Sequence, residues 1–148
     1  MALSRRAVDF NKEILIGEIG ALVGAPLFGI IGSLIRSRPD IISTFTVAGS
    51  IIGGFVSWFI TRLYDEKKEK DFSAKKLAKK LSLYTPAAFL VSILVGYPVV
   101  FLVTHALSVR EHITAFSSLM GELSGFVIFL ILINLYRYLL LKHFNKIL

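Results

Sequence analysis

Four long apolar runs dominate the chain, at about 14–35, 41–63, 84–107 and 113–141. A helix needs roughly 20 predominantly apolar residues to cross the hydrocarbon core of a bilayer, and each run meets that length. Lipid offers no partner to a backbone amide or carbonyl, so such a segment must satisfy its own groups by closing into a helix. The connectors RSRPD (36–40) and SVREH (108–112) are so short that the runs they join must return as antiparallel neighbours. The expected fold is therefore an all-α integral membrane protein, with four transmembrane helices arranged as two tandem, parallel (non-inverted) helical hairpins. Its parts are a tail (1–13), a first hairpin (14–64), a basic linker (65–83) and a second hairpin with the C-terminal tail (84–148).

Composition agrees. Hydrophobic residues make up 55% of the 148 and charged residues 18%, and mean hydropathy is +0.71. That leaves too little polar surface to cover a soluble domain of this size. The N-terminal MALSRRAVDFNKE carries charges of both signs, and the apolar run after it is long enough to span, so it reads as a retained helix and not a cleaved leader. There is no cysteine, which excludes disulfides, thiol chemistry and thiolate metal sites.

The net charge of +7 is distributed in a way that sets orientation. Arg5, Arg6 and Lys12 precede the first run, and Arg137, Lys142 and Lys146 close the last. The central connection carries Lys67, Lys68, Lys70, Lys75, Lys76, Lys79 and Lys80. The two short turns hold only Arg36, Arg38 and Arg110. Basic residues accumulate on the cytoplasmic side of a membrane protein, so both termini and the 65–83 loop are expected in the cytoplasm, with the protein in the cell (plasma) membrane. The same distribution argues against nucleic acid as a partner. Within the loop, FSAKKLAKKLSLY gathers Phe72, Leu77, Leu81 and Tyr84 on one side of a helix. Two readings stand: an interfacial helix whose Lys75, Lys76, Lys79 and Lys80 touch lipid headgroups, or a solvated linker.

The chain also repeats itself. LVGAP at 22–26 returns as LVGYP at 94–98, 72 residues on. At that shift Gly24 and Pro26 fall on Gly96 and Pro98, Arg38 on Arg110, Gly49 and Gly53 on Gly121 and Gly125, and Leu63-Tyr64 on Leu135-Tyr136. Pro26 and Pro98 are expected to bend the first helix of each hairpin, because proline removes a helix hydrogen bond. The Gly-x-x-x-Gly pairs bare two backbone patches one turn apart, where helices approach closely and gain contact that lipid cannot supply. A unit of two spans enters the membrane in the same sense each time, so the copies should be related by an axis along the membrane normal. In the first run Gly17, Ala21, Ala25, Gly29 and Ser33 add a stripe of small residues, widened by Gly20, Gly24 and Gly32, as in a helix packed on several sides.

Few polar groups fall inside the runs, and an intramembrane ionisable residue is a functional candidate by default. Glu122, in LMGELSGF, has Ser118 one turn before it and no basic residue at its depth. It is protonated and hydrogen-bonded, faces a wet cavity, or is paired with another subunit. Glu18, in IGEIGALVG, lies nearer the cytoplasmic side, where Arg62 or Arg137 could pair with it. Asn134 is expected to hydrogen-bond across helices. His105 and His112 flank the second outer turn, but neither a carboxylate nor a cysteine completes a metal set. No metalloprotease, nucleophile-elbow or P-loop motif is present, so neither an enzyme nor a cofactor is expected.

The features kept between the two copies are bends, packing glycines and interface anchors, whereas Leu90 stands where Glu18 would recur and Ser50 where Glu122 would. Packing has been kept and polar chemistry left unpaired. This favours an accessory or stabilising subunit of a larger membrane complex, whose Gly-rich helix faces bind other membrane subunits or sister copies. The alternative is a small oligomeric solute or ion transporter using Glu122, with Glu18 as the second candidate.

Overall fold

The structure, a computed structural model, describes residues 5–68 and 90–144. Within these residues the chain is all-helical, with no strand. Helix α1 spans Arg5–Ile35 and α2 spans Pro39–Lys68. A π-helical turn at Ser92–Gly96 leads into α3, Tyr97–Val109, and α4 spans Thr114–Phe144. Four helices are long and apolar enough to cross a membrane, over Ile14–Ile35, Pro39–Thr61, Ser92–Val109 and Thr114–Tyr136. The part expected at 84–89 and the whole 69–83 segment, with its four headgroup lysines, lie outside the described residues. Helix α4, at 31 residues, is about 46 Å long at 1.5 Å per residue, against about 30 Å of hydrocarbon.

Helix α1 lies along α2, and α3 lies along α4. Each first helix also packs on the second helix of the other pair, α1 on α4 and α2 on α3, while α2 and α4 meet only over a short stretch. The interior is unusual in its chemistry. Its buried apolar residues are Ala21, Ala25, Ile42, Val100 and Ile133, whereas Ser43, Thr46, Ser50, Thr104, Ser117, Ser118 and Glu122 are buried polar ones. Large apolar side chains such as Leu34, Ile60, Leu94, Leu102 and Ile131 point outwards. A water-soluble bundle buries those and exposes the hydroxyls. Here the distribution is reversed.

Glycines set the spacing of the helices. A Cβ on Gly24 would overlap the Gly49 carbonyl and one on Gly49 the Gly24 carbonyl; Gly20 and Gly53 block each other in the same reciprocal way. The α1 and α2 backbones are thus in direct contact, at a separation where Cα–H groups face carbonyl oxygens. In the other pair, a Cβ on Gly125 would come 3.0 Å from the Gly96 oxygen, and one on Gly121 would come 2.8 Å from the Val100 oxygen. These are the contacts of Gly53 with Gly24, and of Gly49 with Phe28, moved 72 residues along the chain. The small residues of α1 divide between two neighbours: Gly17, Gly20 and Gly24 face α2, while Gly29 abuts both Ser118 of α4 and Thr46 of α2.

The two prolines do not behave alike. Pro26 lies inside the continuous helix α1. Pro98 is the second residue of α3, directly after the π turn, in which the Tyr97 amide donates to the Ser92 carbonyl. The turns differ as well. Pro39 opens α2 while Arg38 donates two hydrogen bonds to the Asp40 carboxylate, 2.9 and 3.1 Å, in an exposed ion pair. At the corresponding position of the second turn Glu111 takes φ 59°, a left-handed conformation that proline cannot adopt.

Candidate functional site

Polar side chains of α2 and α4 meet in the middle of the bundle. On α2, Ser43, Thr46 and Ser50 recur at helical spacing on one face and are all buried. Ser43 donates to the Pro39 carbonyl at 2.7 Å and Thr46 to the Ile42 carbonyl at 2.9 Å, so these hydroxyls first satisfy themselves on their own helix. Ser118 and Glu122 lie one turn apart on the facing side of α4. The Thr46 Oγ1 and Ser118 Oγ are 2.7 Å apart, in hydrogen-bond contact, and Ser50 and Glu122, one turn further along the same two helices, are both buried. The members of each pair are 72 positions apart.

Glu122 is 4% exposed, and its Oε2 is buried without a hydrogen-bond partner. Glu18 of α1 lies at helical spacing from Ala21 and Ala25, both buried. It is half-buried, and its Oε1 is buried with no hydrogen-bond partner among the described residues. Tyr97 of α3 is half-buried too. Glu18, Ser50, Tyr97 and Glu122, one from each of the four helices, are all at least partly buried. The side chains of Arg62 and Arg137, the expected partners of Glu18, lie outside the described side chains.

Other candidates stand apart. His105 stacks on Phe101, ring centroids 5.9 Å apart, and His112 lies beside Phe116 at the turn. Among the described residues no three His, Cys, Asp or Glu side chains gather as metal ligands would. Asn134 corrects an expectation: it donates to the Leu130 carbonyl of its own helix at 2.8 Å, not to another helix. The reason is angular. Its neighbour Ile133 takes the core position, which turns Asn134 outwards. The packing residues Gly24, Gly49, Gly53, Gly121 and Gly125 are all used inside the chain, so the faces expected to bind other subunits are occupied by the chain's own helices. Gly96 is buried too, but a Cβ there would meet nothing within 4 Å.

The sequence reading passed over Thr46 and Tyr97 and noted Ser50 only as a mismatch. Two signals marked them. Ser43, Thr46 and Ser50 are hydroxyls at helical spacing inside an apolar run, and Tyr97 puts a phenol where the first copy of the repeat has Ala25. Comparison with protein-family models, with curated proteins and with solved structures finds no match for this chain.

Proposed function

We propose that the chain is a four-span membrane transporter of a small solute or ion, built from two same-sense hairpins around an axis along the membrane normal, with both termini cytoplasmic. The observation that carries this reading is a pair of intramembrane carboxyls on different helices, Glu122 and Glu18, each with a buried oxygen that has no hydrogen-bond partner among the described residues. Packing alone gives no reason for such a pair. A buried polar atom without a partner costs about 1–3 kcal/mol, more if charged, and an apolar side chain would fill the same space without that cost. Intramembrane carboxyls of this kind mark ion and proton pathways. The two-fold arrangement draws support from Thr46–Ser118, since residues at equivalent positions of a repeat touch each other only on its axis. Four helices enclose little volume, so the transporter is expected to work as an oligomer.

An accessory subunit remains the second reading. It is favoured by the exposed aromatic face of α2, where Phe55 and Phe59 stack at 5.9 Å and Phe55 reaches Trp58 at 6.0 Å, a rigid surface against which another membrane helix could pack.

The deciding experiment is flux in reconstituted vesicles beside native mass after gentle extraction. For a transporter, Glu122→Gln should lower flux by about a hundredfold, the scale of losing a positioned proton-transfer group, with assembly unchanged. Gly121→Leu, in contrast, should prevent folding. Full flux in Glu122→Gln, together with co-purification of other membrane proteins at fixed stoichiometry, would replace this reading with the subunit.

A further inference from the structure

The two hairpins repeat each other in sequence but not in register. On α2, Gly49 faces the Gly24 carbonyl of α1 and Gly53 faces the Gly20 carbonyl. Carried 72 residues along, these contacts would set Gly121 against Gly96 and Gly125 against Ser92. Instead Gly121 faces the Val100 carbonyl and Gly125 the Gly96 carbonyl, each four residues further along the chain. Each of the two α2 glycines lies between two α1 residues one turn apart, and only the residue nearer the short turn has its counterpart in the second hairpin. The turns carry the same offset. Helix α3 runs to Val109, two residues past Leu107, the counterpart of Ile35, and α4 begins at Thr114, three past Glu111, the counterpart of Pro39. At 1.5 Å per residue, α3 thus sits about 6 Å along α4 from the place that α1 takes on α2.

Three features of the second hairpin fit the other register better than the one it adopts. Gly96 is buried beside open space, and the other register fills that space with the Gly121 backbone, as Gly49 fills it beside Gly24. The Ser117 hydroxyl is fully buried with no hydrogen-bond partner among the described residues, while the Thr104 hydroxyl reaches only the Ser117 carbonyl, at 3.4 Å. Their counterparts Phe45 and Gly32 lie side by side, a Cβ on Gly32 coming 2.9 Å from that of Phe45. In the other register Thr104 therefore lies beside the Ser117 side chain, where one hydroxyl can donate to the other. Glu111 holds φ 59°, a costly conformation for a residue with a Cβ. In the other register it opens α4 as Pro39 opens α2, with its carboxylate in the first turn, where the helix dipole favours it.

The parts around α3 differ in firmness. Helices α1, α2 and α4 are fixed by the reciprocal glycines and by Gly29 seated on Thr46 and Ser118. The lead-in to α3 is looser, since Pro98 gives no amide to the Leu94 carbonyl and Ser92–Gly96 is a π turn. We propose that α3 has two seats on this three-helix frame, one helical turn apart: the observed one, with Gly125 on the Gly96 carbonyl, and a second in the register of α1 on α2, with Gly121 on the Gly96 carbonyl and Thr104 beside Ser117. Packed helices change seats in whole turns because interdigitated side chains are bistable and not continuously deformable. Such a step is open to a transporter and to a packing subunit alike. Because α4 carries Glu122, it moves every α3 residue, Tyr97 included, about 6 Å past that carboxyl.

The test reads the distance between nitroxides on Leu102→Cys in α3 and Ile131→Cys in α4, both exposed positions in a chain without native cysteine. The whole protein is placed in phosphatidylcholine–phosphatidylglycerol vesicles and measured by electron–electron double resonance. The second seat lies nearer the short turns, so it lengthens this distance, by up to about 6 Å. Wild type should show both distances. Gly96→Ala, whose Cβ is free in the observed seat and meets the Gly121 backbone in the second, should leave only the shorter one. Glu111→Pro, which cannot hold a positive φ, should leave only the longer one. A second pair, Leu27→Cys in α1 with Ile131→Cys, should keep a single distance throughout. Identical distributions in Gly96→Ala and Glu111→Pro overturn the two seats, whatever wild type shows. If Glu111→Pro does not assemble, identical distributions in wild type and Gly96→Ala overturn them. A Leu27–Ile131 distance that changes with the variants overturns the fixed frame, and with it the movement of α3 alone.

Discussion

A single methyl group distinguishes positions that the sequence makes equivalent. Gly24 and Gly96 occupy the same place in LVGAP and LVGYP, yet a Cβ on Gly24 would collide with the Gly49 carbonyl and a Cβ on Gly96 would meet empty space. Gly24→Ala should therefore destabilise by about 1–3 kcal/mol, the usual cost of overpacking. Gly96→Ala should be neutral or stabilise by about 0.5–1 kcal/mol through lower backbone entropy in the unfolded chain. Thermal unfolding of the two variants in the same detergent checks this, and equal losses would refute it. That both positions hold glycine was legible from the repeat. Which of them touched a backbone was not, because a one-dimensional match carries no information about what lies opposite.

At the scale of the helix, proline chemistry was legible and its outcome was not. Pro26 and Pro98 both lack the amide that would bond four residues back, and both were expected to bend their helices. In α1 the stretch before Pro26 is held by Gly20 and Gly24 in backbone contact with Gly53 and Gly49, and the helix runs on. Before Pro98 the space beside Gly96 is open, and Ser92–Gly96 widens into a π turn. Pro98→Ala restores an amide and removes the ring from the preceding turn. The π turn should then close to α-helix and rotate the preceding segment by about 100° per residue absorbed. A nitroxide at Leu94, which is 69% exposed, should become less accessible to lipid-soluble oxygen. Unchanged accessibility would show that something other than proline holds the turn.

For the whole molecule, the proposed orientation makes a simple prediction, because the chain has no cysteine of its own. Ser37→Cys in the first short turn and Glu111→Cys in the second should react with an impermeant maleimide added outside intact cells. Ser73→Cys in the lysine-rich connection should react only after lysis. Labelling of Ser73→Cys from outside would invert the topology.

Span length and the placement of lysines are local properties, so the sequence by itself determined that the chain has four helices able to cross a membrane and which connections are basic. Glu122 was also conspicuous alone, since a carboxyl among apolar residues is anomalous whatever surrounds it. Its company was another matter. Glu18 lies 104 positions away in the chain and was matched with arginines on grounds of depth, while Ser50 was read only as a residue that failed to repeat. Helix rotation and close approach, set by the reciprocal glycine contacts of α1 and α2, decide which face of each helix turns inwards. Those contacts are properties of pairs of backbones, and only the tertiary structure brings Thr46 against Ser118 and buries Ser50 and Glu122.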